Sequence, residues 1–159
     1  MIKYIDNTPY IEKTSLQDVL KICQTPFYLY SQEIITQKVK MTKKILGSNI
    51  FFSVKSNSNQ AVLKLMQNLG IGADVVSIGE LKRALAAGFD PKKIIFEGVG
   101  KSKDDLLYAI QKNIHLINTE SLEEIKLLDK LSKEKNKKLN IGVRLNPNID
   151  GDTIKKIST

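Results

Sequence analysis

Residues 50–89 read IFFSVKSNSNQAVLKLMQNLGIGADVVSIGELKRALAAGF. A short apolar run, Ile50-Phe51-Phe52-Ser53-Val54, passes through Lys55 into the polar turn Ser56-Asn57-Ser58-Asn59. Val62, Leu65, Met66 and Leu69 then recur at helical spacing, and Gly70 supplies a stop. A second apolar run, Ala73-Asp74-Val75-Val76, leads into Ser77-Ile78-Gly79-Glu80. That pattern fits a capping box, in which the serine accepts from the N3 amide and the glutamate reaches back to the cap. The helix behind it carries Leu81, Leu85 and Ala86 and ends at Gly88. Strand, helix, strand, helix within forty residues predicts parallel strands joined by crossover helices, because parallel neighbours need a long connection between them.

The same alternation continues outward. Further strand-like runs are Lys93-Ile94-Ile95-Phe96, His115-Leu116-Ile117 and Asn140-Ile141-Gly142-Val143-Arg144-Leu145. Ser102 opens a helical segment with Leu106, Leu107 and Ile110. Ser121-Leu122-Glu123-Glu124 repeats the capping-box pattern ahead of Ile125, Leu127, Leu128 and Leu131. Upstream, a helix is predicted from Ser31 to Leu46. The strand starts recur every twenty-odd residues, yet the consensus of a leucine-rich repeat is absent. The runs are mostly apolar throughout, as parallel strands buried on both faces are. Five strands suffice for an open doubly wound sheet, whereas a (β/α)8 barrel needs eight strands and about 250 residues. The pattern by itself admits either.

Composition narrows the function classes. The chain has 159 residues, is 42% apolar, carries a formal charge of +8, and contains one Cys and one His. One cysteine excludes a disulfide scaffold, and Cys23 with His115 cannot build a zinc site alone, so no metal centre is expected. No apolar run approaches a membrane span of about 18–20 residues, and the opening MIKYIDNTPYIEK lacks the apolar core of a signal peptide. A soluble, reducing, cytoplasmic setting is expected, without membrane partners. Nearly all the positive charge is lysine; the arginines are Arg83 and Arg144. Readers of nucleic acid favour the planar arginine fork, and the densest lysines lie in the polar turn SKEKNKK, so no nucleic-acid partner is expected.

In either parallel architecture functional groups gather at the C-terminal strand ends. Those ends here are Lys55, Asp74 to Ser77, Glu97 to Gly100, Asn118-Thr119, and Arg144 to Asn146. A lysine half-buried at a barrel rim loses solvation, which depresses its pKa and frees the amine as a nucleophile for Schiff-base chemistry. A lysine snorkelling from a strand end into water is the alternative. Asp74, inside an apolar run, calls for a nearby cation or amide, with Lys55 one candidate, and Arg144 also needs a partner. Gly98-Val99-Gly100-Lys101-Ser102 mimics a phosphate loop, but G-x-x-x-x-G-K-[ST] would place its first glycine at Ile95. A glycine-rich turn with Ser102 as helix cap fits better.

The blocks FFSVKSNSNQAVLKLM, GIGADVVSIGELKRALAAGF, KIIFEGVGKSKDDL, INTESLEEI and VRLNPNID together resemble the diaminopimelate decarboxylase family. These are pyridoxal-phosphate enzymes of the alanine-racemase-like barrel class, and the likeness runs from Thr25 to the last residue. It implies an α/β fold: the N-terminal portion of a (β/α)8 TIM-type barrel, incomplete in this chain. It further implies that Lys55 is the catalytic residue and carries the cofactor covalently, and that Asp74 and Arg144 line the pyridoxal 5'-phosphate site. The implied reaction is decarboxylation of meso-diaminopimelate to L-lysine and carbon dioxide, in lysine biosynthesis, by a homodimer. Ornithine and arginine decarboxylases share the motif around Lys55, so they remain alternatives, as does a non-catalytic barrel that only binds the cofactor.

The resemblance also fixes an expected organisation. Residues 1–25 would join a β-rich C-terminal domain of a longer protein, and residues 26–159 would form the partial cofactor-binding barrel. Members of the family continue past Thr159 and there complete the barrel, the phosphate site and the dimer. An apparently truncated chain with open strand edges is expected to be inactive alone and prone to self-association. Ile154 stands where many members have histidine, so no role is carried to it, and Phe52 replaces a common tyrosine.

Overall fold

A computed structural model describes residues 2–147. They form two compact units that part between Ile50 and Phe51. Ile154 lies outside the described residues.

In the first unit, β1 (Ile2–Ile5), β2 (Thr8–Ile11) and β3 (Thr14–Ser15) make an antiparallel sheet in that order. Asp6 and Asn7 turn the first hairpin at positive φ, a conformation their short polar side chains tolerate. Two helices follow, α1 (Leu16–Leu20) and α2 (Gln32–Leu46). The second is the helix expected after Ser31, whose Oγ accepts from the Ile34 amide. Glu12 also accepts from the Glu33 amide at 2.7 Å, placing a negative charge at the helix N-terminus.

The second unit alternates strands and helices: β4 (Phe51–Ser53), α3 (Gln60–Asn68), β5 (Gly72–Val75), α4 (Ile78–Ala86), β6 (Ile94–Phe96), α5 (Lys103–Lys112), β7 (Leu116–Thr119), α6 (Leu122–Glu134) and β8 (Ile141–Val143). All four strand pairings are parallel, and the sheet order is β4-β5-β6-β7-β8. This order separates the two architectures that the sequence allowed. Right-handed crossovers along a sheet that never reverses direction put every helix on one face, which is the construction of a barrel wall. A doubly wound sheet reverses its order part-way. Five strands of the barrel are present in the described residues.

The two faces of this wall differ, which corrects the expectation of strands apolar on both sides. Ala73, Val75, Ile94, Phe96, Ile117 and Thr119 alternate along the strands and are buried. With them lie Leu63, Leu81, Ala84, Leu106, Ile110, Leu128 and Leu131 from the helices. Burying one such side chain contributes about 1.5–3 kcal/mol. On the other face Ser53, Asp74, Ile95 and Leu116 stand level in register and only half-buried. Strand side chains alternate between faces, so polar groups two residues further along fall on this same open side.

The turns at the strand ends also differ from the expected boxes. Ser77 and Ser121 do cap their helices, accepting from the amides of Glu80 and Glu124. The glutamates, however, accept from the residue before the cap, at Val76 N and Glu120 N, both 2.9 Å. The cap residues are extended there, with φ of −148° and −150° against −70° at Ser102, so their own amides point elsewhere. The reciprocal box forms instead at Ser102 and Asp105.

Candidate active site

The chain leaves β4 through a 3₁₀ turn, Val54–Ser56, and this turn carries Lys55. Val54 is fully buried and anchors it. Ser56 Oγ donates to the Ser53 carbonyl at 2.7 Å and the Asn57 amide to the Val54 carbonyl at 3.1 Å. Lys55 is exposed rather than half-buried, because the turn lifts it off the strand end to which the sequence assigned it. Its amine opens onto a cleft of about 420 Å³ lined by Lys55, Glu97, Asn118, Glu120, Gly142, Val143 and Arg144. That volume lies within the range of about 300–1,000 Å³ usual for small-molecule sites. A larger groove of about 800 Å³ runs along α6 past Leu128 and Ile141, away from Lys55, and carries only apolar side chains and surface polar groups such as Lys133.

Of the residues singled out in the sequence, the cleft therefore brings Lys55 and Arg144 together. Arg144 finds the partner it needed in Glu120, with Nη1 3.5 Å from Oε1, and its amide continues the ladder to the Thr119 carbonyl at 3.0 Å. The arginine is half exposed, so the pair orients more than it stabilises. Asp74 is not on the cleft wall; it sits beside Ser53 in register. Burial pushes its carboxyl above the ordinary value, and the Glu97 charge adds to this, with a smaller contribution from Glu80. The Ser53 hydroxyl, close but outside hydrogen-bonding geometry, and the Lys55 charge pull the other way. Lys55 is thus the cation near Asp74, but it does not outweigh the burial. Asp74 Oδ1 and Ser53 Oγ are buried without hydrogen-bond partners.

Two cleft residues carried no role in the sequence. Asn118 Nδ2 donates to Glu97 Oε1 at 2.8 Å across neighbouring strands. Gly142 makes room for this pair, because a Cβ there would strike Asn118 Oδ1. Both were visible as polar strand ends; what joins them is the pairing of Ile95 with Leu116, two positions earlier on each strand.

A parallel barrel wall with a lysine amine at its C-terminal rim narrows the field, and comparison with known proteins closes it. Residues 32–159 match the family model described as pyridoxal-dependent decarboxylase, pyridoxal binding domain. The chain belongs to the pyridoxal-dependent decarboxylases. Within that family it is 47% identical over 138 residues to diaminopimelate decarboxylase of Campylobacter jejuni, covering 85% of this chain and 34% of the relative. Against the Pseudomonas aeruginosa diaminopimelate decarboxylase the identity is 38% over 159 residues, covering 98% and 38%. The crystal structure of the Helicobacter pylori diaminopimelate decarboxylase complexed with L-lysine superposes with a TM-score of 0.82 at 38% identity, over 91% of this chain and 37% of that one. A viral arginine decarboxylase shares the fold at a TM-score of 0.71 and 24% identity. The chain spans little more than a third of the length of the decarboxylases it matches.

Proposed function

We propose that this chain is the cofactor-binding part of a diaminopimelate decarboxylase and that Lys55 holds pyridoxal phosphate. The observation that carries the assignment is the Lys55 amine, exposed at the C-terminal rim of a parallel sheet and facing the same cleft as Arg144. The residues present fit the group. The amine is accessible, the cleft is large enough, and Arg144 offers a cation to an anionic ligand.

Bound pyridoxal phosphate supplies the electron sink for the pair left behind when carbon dioxide departs. The protein's part is orientation. Glu97 is held by Asn118 and Glu120 by Arg144, so both acids of the cleft are placed before a ligand arrives. Lys55, on the wall of the cleft, carries the amine able to hold the cofactor and to carry a proton nearby. Diaminopimelate is preferred to ornithine or arginine as substrate because the relatives at 38–47% identity bear that name, whereas the arginine decarboxylase likeness extends to the fold alone.

The test is covalent trapping. The purified chain is incubated with pyridoxal phosphate, reduced with borohydride and digested. Label concentrated on Lys55, and lost in Lys55→Met, is the expected result. Label spread thinly over the 23 lysines, with no preference for Lys55, would overturn the assignment.

A further inference from the structure

Lys101 is a buried charge that the proposed chemistry does not use. Its side chain is only 1% exposed, although it belongs to the glycine-rich turn that mimicked a phosphate loop. Nζ donates to the Gly98 carbonyl at 2.6 Å and to Glu124 Oε1 at 2.8 Å, and lies 5.7 Å from the centre of the Phe96 ring. Phe96 belongs to the buried, helix-covered face, so the ammonium sits behind the sheet and cannot meet a phosphate in the cleft. Replacing a buried ion pair by apolar side chains of similar volume is often neutral or stabilising, so stability alone gives no reason for this one. What the pair has is direction.

It joins two loops whose neighbouring residues form the cleft wall. Gly98 follows Glu97, and is seated so closely on the end of β5 that a Cβ would stand 2.7 Å from the Val76 carbonyl. Glu124 engages Lys101 with one oxygen and the Glu120 amide with the other, at 2.9 Å. Glu120 in turn reaches Arg144. Glu80 makes the same backbone bond at the β5 turn, to Val76 N, so the lysine is what distinguishes the β7 turn.

We propose that Lys101 is a positioning residue of the cleft: from behind the sheet it ties the Gly98 carbonyl to Glu124 and through it to the Glu120 amide, and so fixes where Glu97 and Glu120 stand. The role presupposes that the cleft takes the cofactor at Lys55.

The experiment compares the 159-residue chain with Lys101→Met and Glu124→Gln. The second variant keeps the shape, but its amide nitrogen cannot accept, so one of the two bonds is lost. Three quantities are read: melting temperature, hydrogen exchange at the Glu120 amide, and the pyridoxal phosphate concentration giving half-maximal borohydride label on Lys55. Small displacements of binding groups have large effects, so half-labelling is expected to need about tenfold more cofactor in Lys101→Met, with faster Glu120 exchange. A fall in melting temperature with half-labelling and exchange unchanged would make Lys101 merely structural and overturn the role. If Lys101→Met does not fold, Glu124→Gln decides by the same two readouts. Absence of label on Lys55 in the unsubstituted chain would sink the cofactor assignment and the positioning role with it; faster Glu120 exchange in Lys101→Met would then mark only a structural tie.

Discussion

Asp74 sits near Lys55 yet keeps its carboxyl pushed upward by burial first and by the Glu97 charge second. An acid whose folded pKa lies above its ordinary 3.8 binds a proton more readily when folded. Its contribution to stability is therefore greatest at low pH and falls as pH rises from 3.8 through the raised value. Asp74→Asn cannot ionise, so the melting temperature of the variant minus that of the parent should climb across this window and then level off. A flat difference from about pH 3.5 to about pH 8 would show that Asp74 titrates as an ordinary aspartate. The position of Asp74 inside an apolar run announced an unusual carboxylate in the sequence. The upward direction of its shift comes from burial first, to which Glu97 adds once β5 and β6 pair. Lys55 and Lys101 make the same point. Both stand in a turn that follows a strand and precede serine, but one is exposed and the other buried against Glu124.

At the scale of elements, the loop between β6 and α5 joins local conformation to packing. Gly98 and Gly100 both have positive φ, +94° and +70°, but only Gly98 is crowded, with its virtual Cβ 2.7 Å from the Val76 carbonyl. Left-handed backbone costs a residue with a side chain roughly 1–2 kcal/mol. Gly100→Ala should lose about that much in urea denaturation, since nothing lies within 4 Å of the added carbon. Gly98→Ala should lose at least about 1 kcal/mol more, because backbone must move as well. Equal losses would mean that the seat on Val76 contributes nothing. The helices themselves were legible: apolar spacing and a serine or asparagine cap located α2 through α6, and Asn59 caps α3 as its sequence suggests. Strand limits were less so. The run Ile50–Val54 shortens to Phe51–Ser53 and Lys93 falls in a 3₁₀ turn, because pairing rather than hydrophobicity sets where a strand stops.

At the scale of the molecule, the described sheet has β4 and β8 as its end strands, each with one strand neighbour. Ile141, Val143 and Leu145 are exposed at the β8 end. Unpaired edges with apolar side chains template association. The 159-residue chain should therefore sediment faster as its concentration is raised, and a concentration-independent monomer would show that these edges are covered. Periodicity and capping in the sequence determined that strands and helices alternate and that polar groups gather at the strand ends, since both depend on spacing along the chain. Motif likeness added the family. Tertiary structure decided the rest: that the strand order never reverses, that one face of the sheet is closed and the other open, and that Glu97 meets Asn118 while Lys101 turns inward. Those outcomes depend on register and on which face a residue occupies, and both are set by pairing between segments twenty or more residues apart.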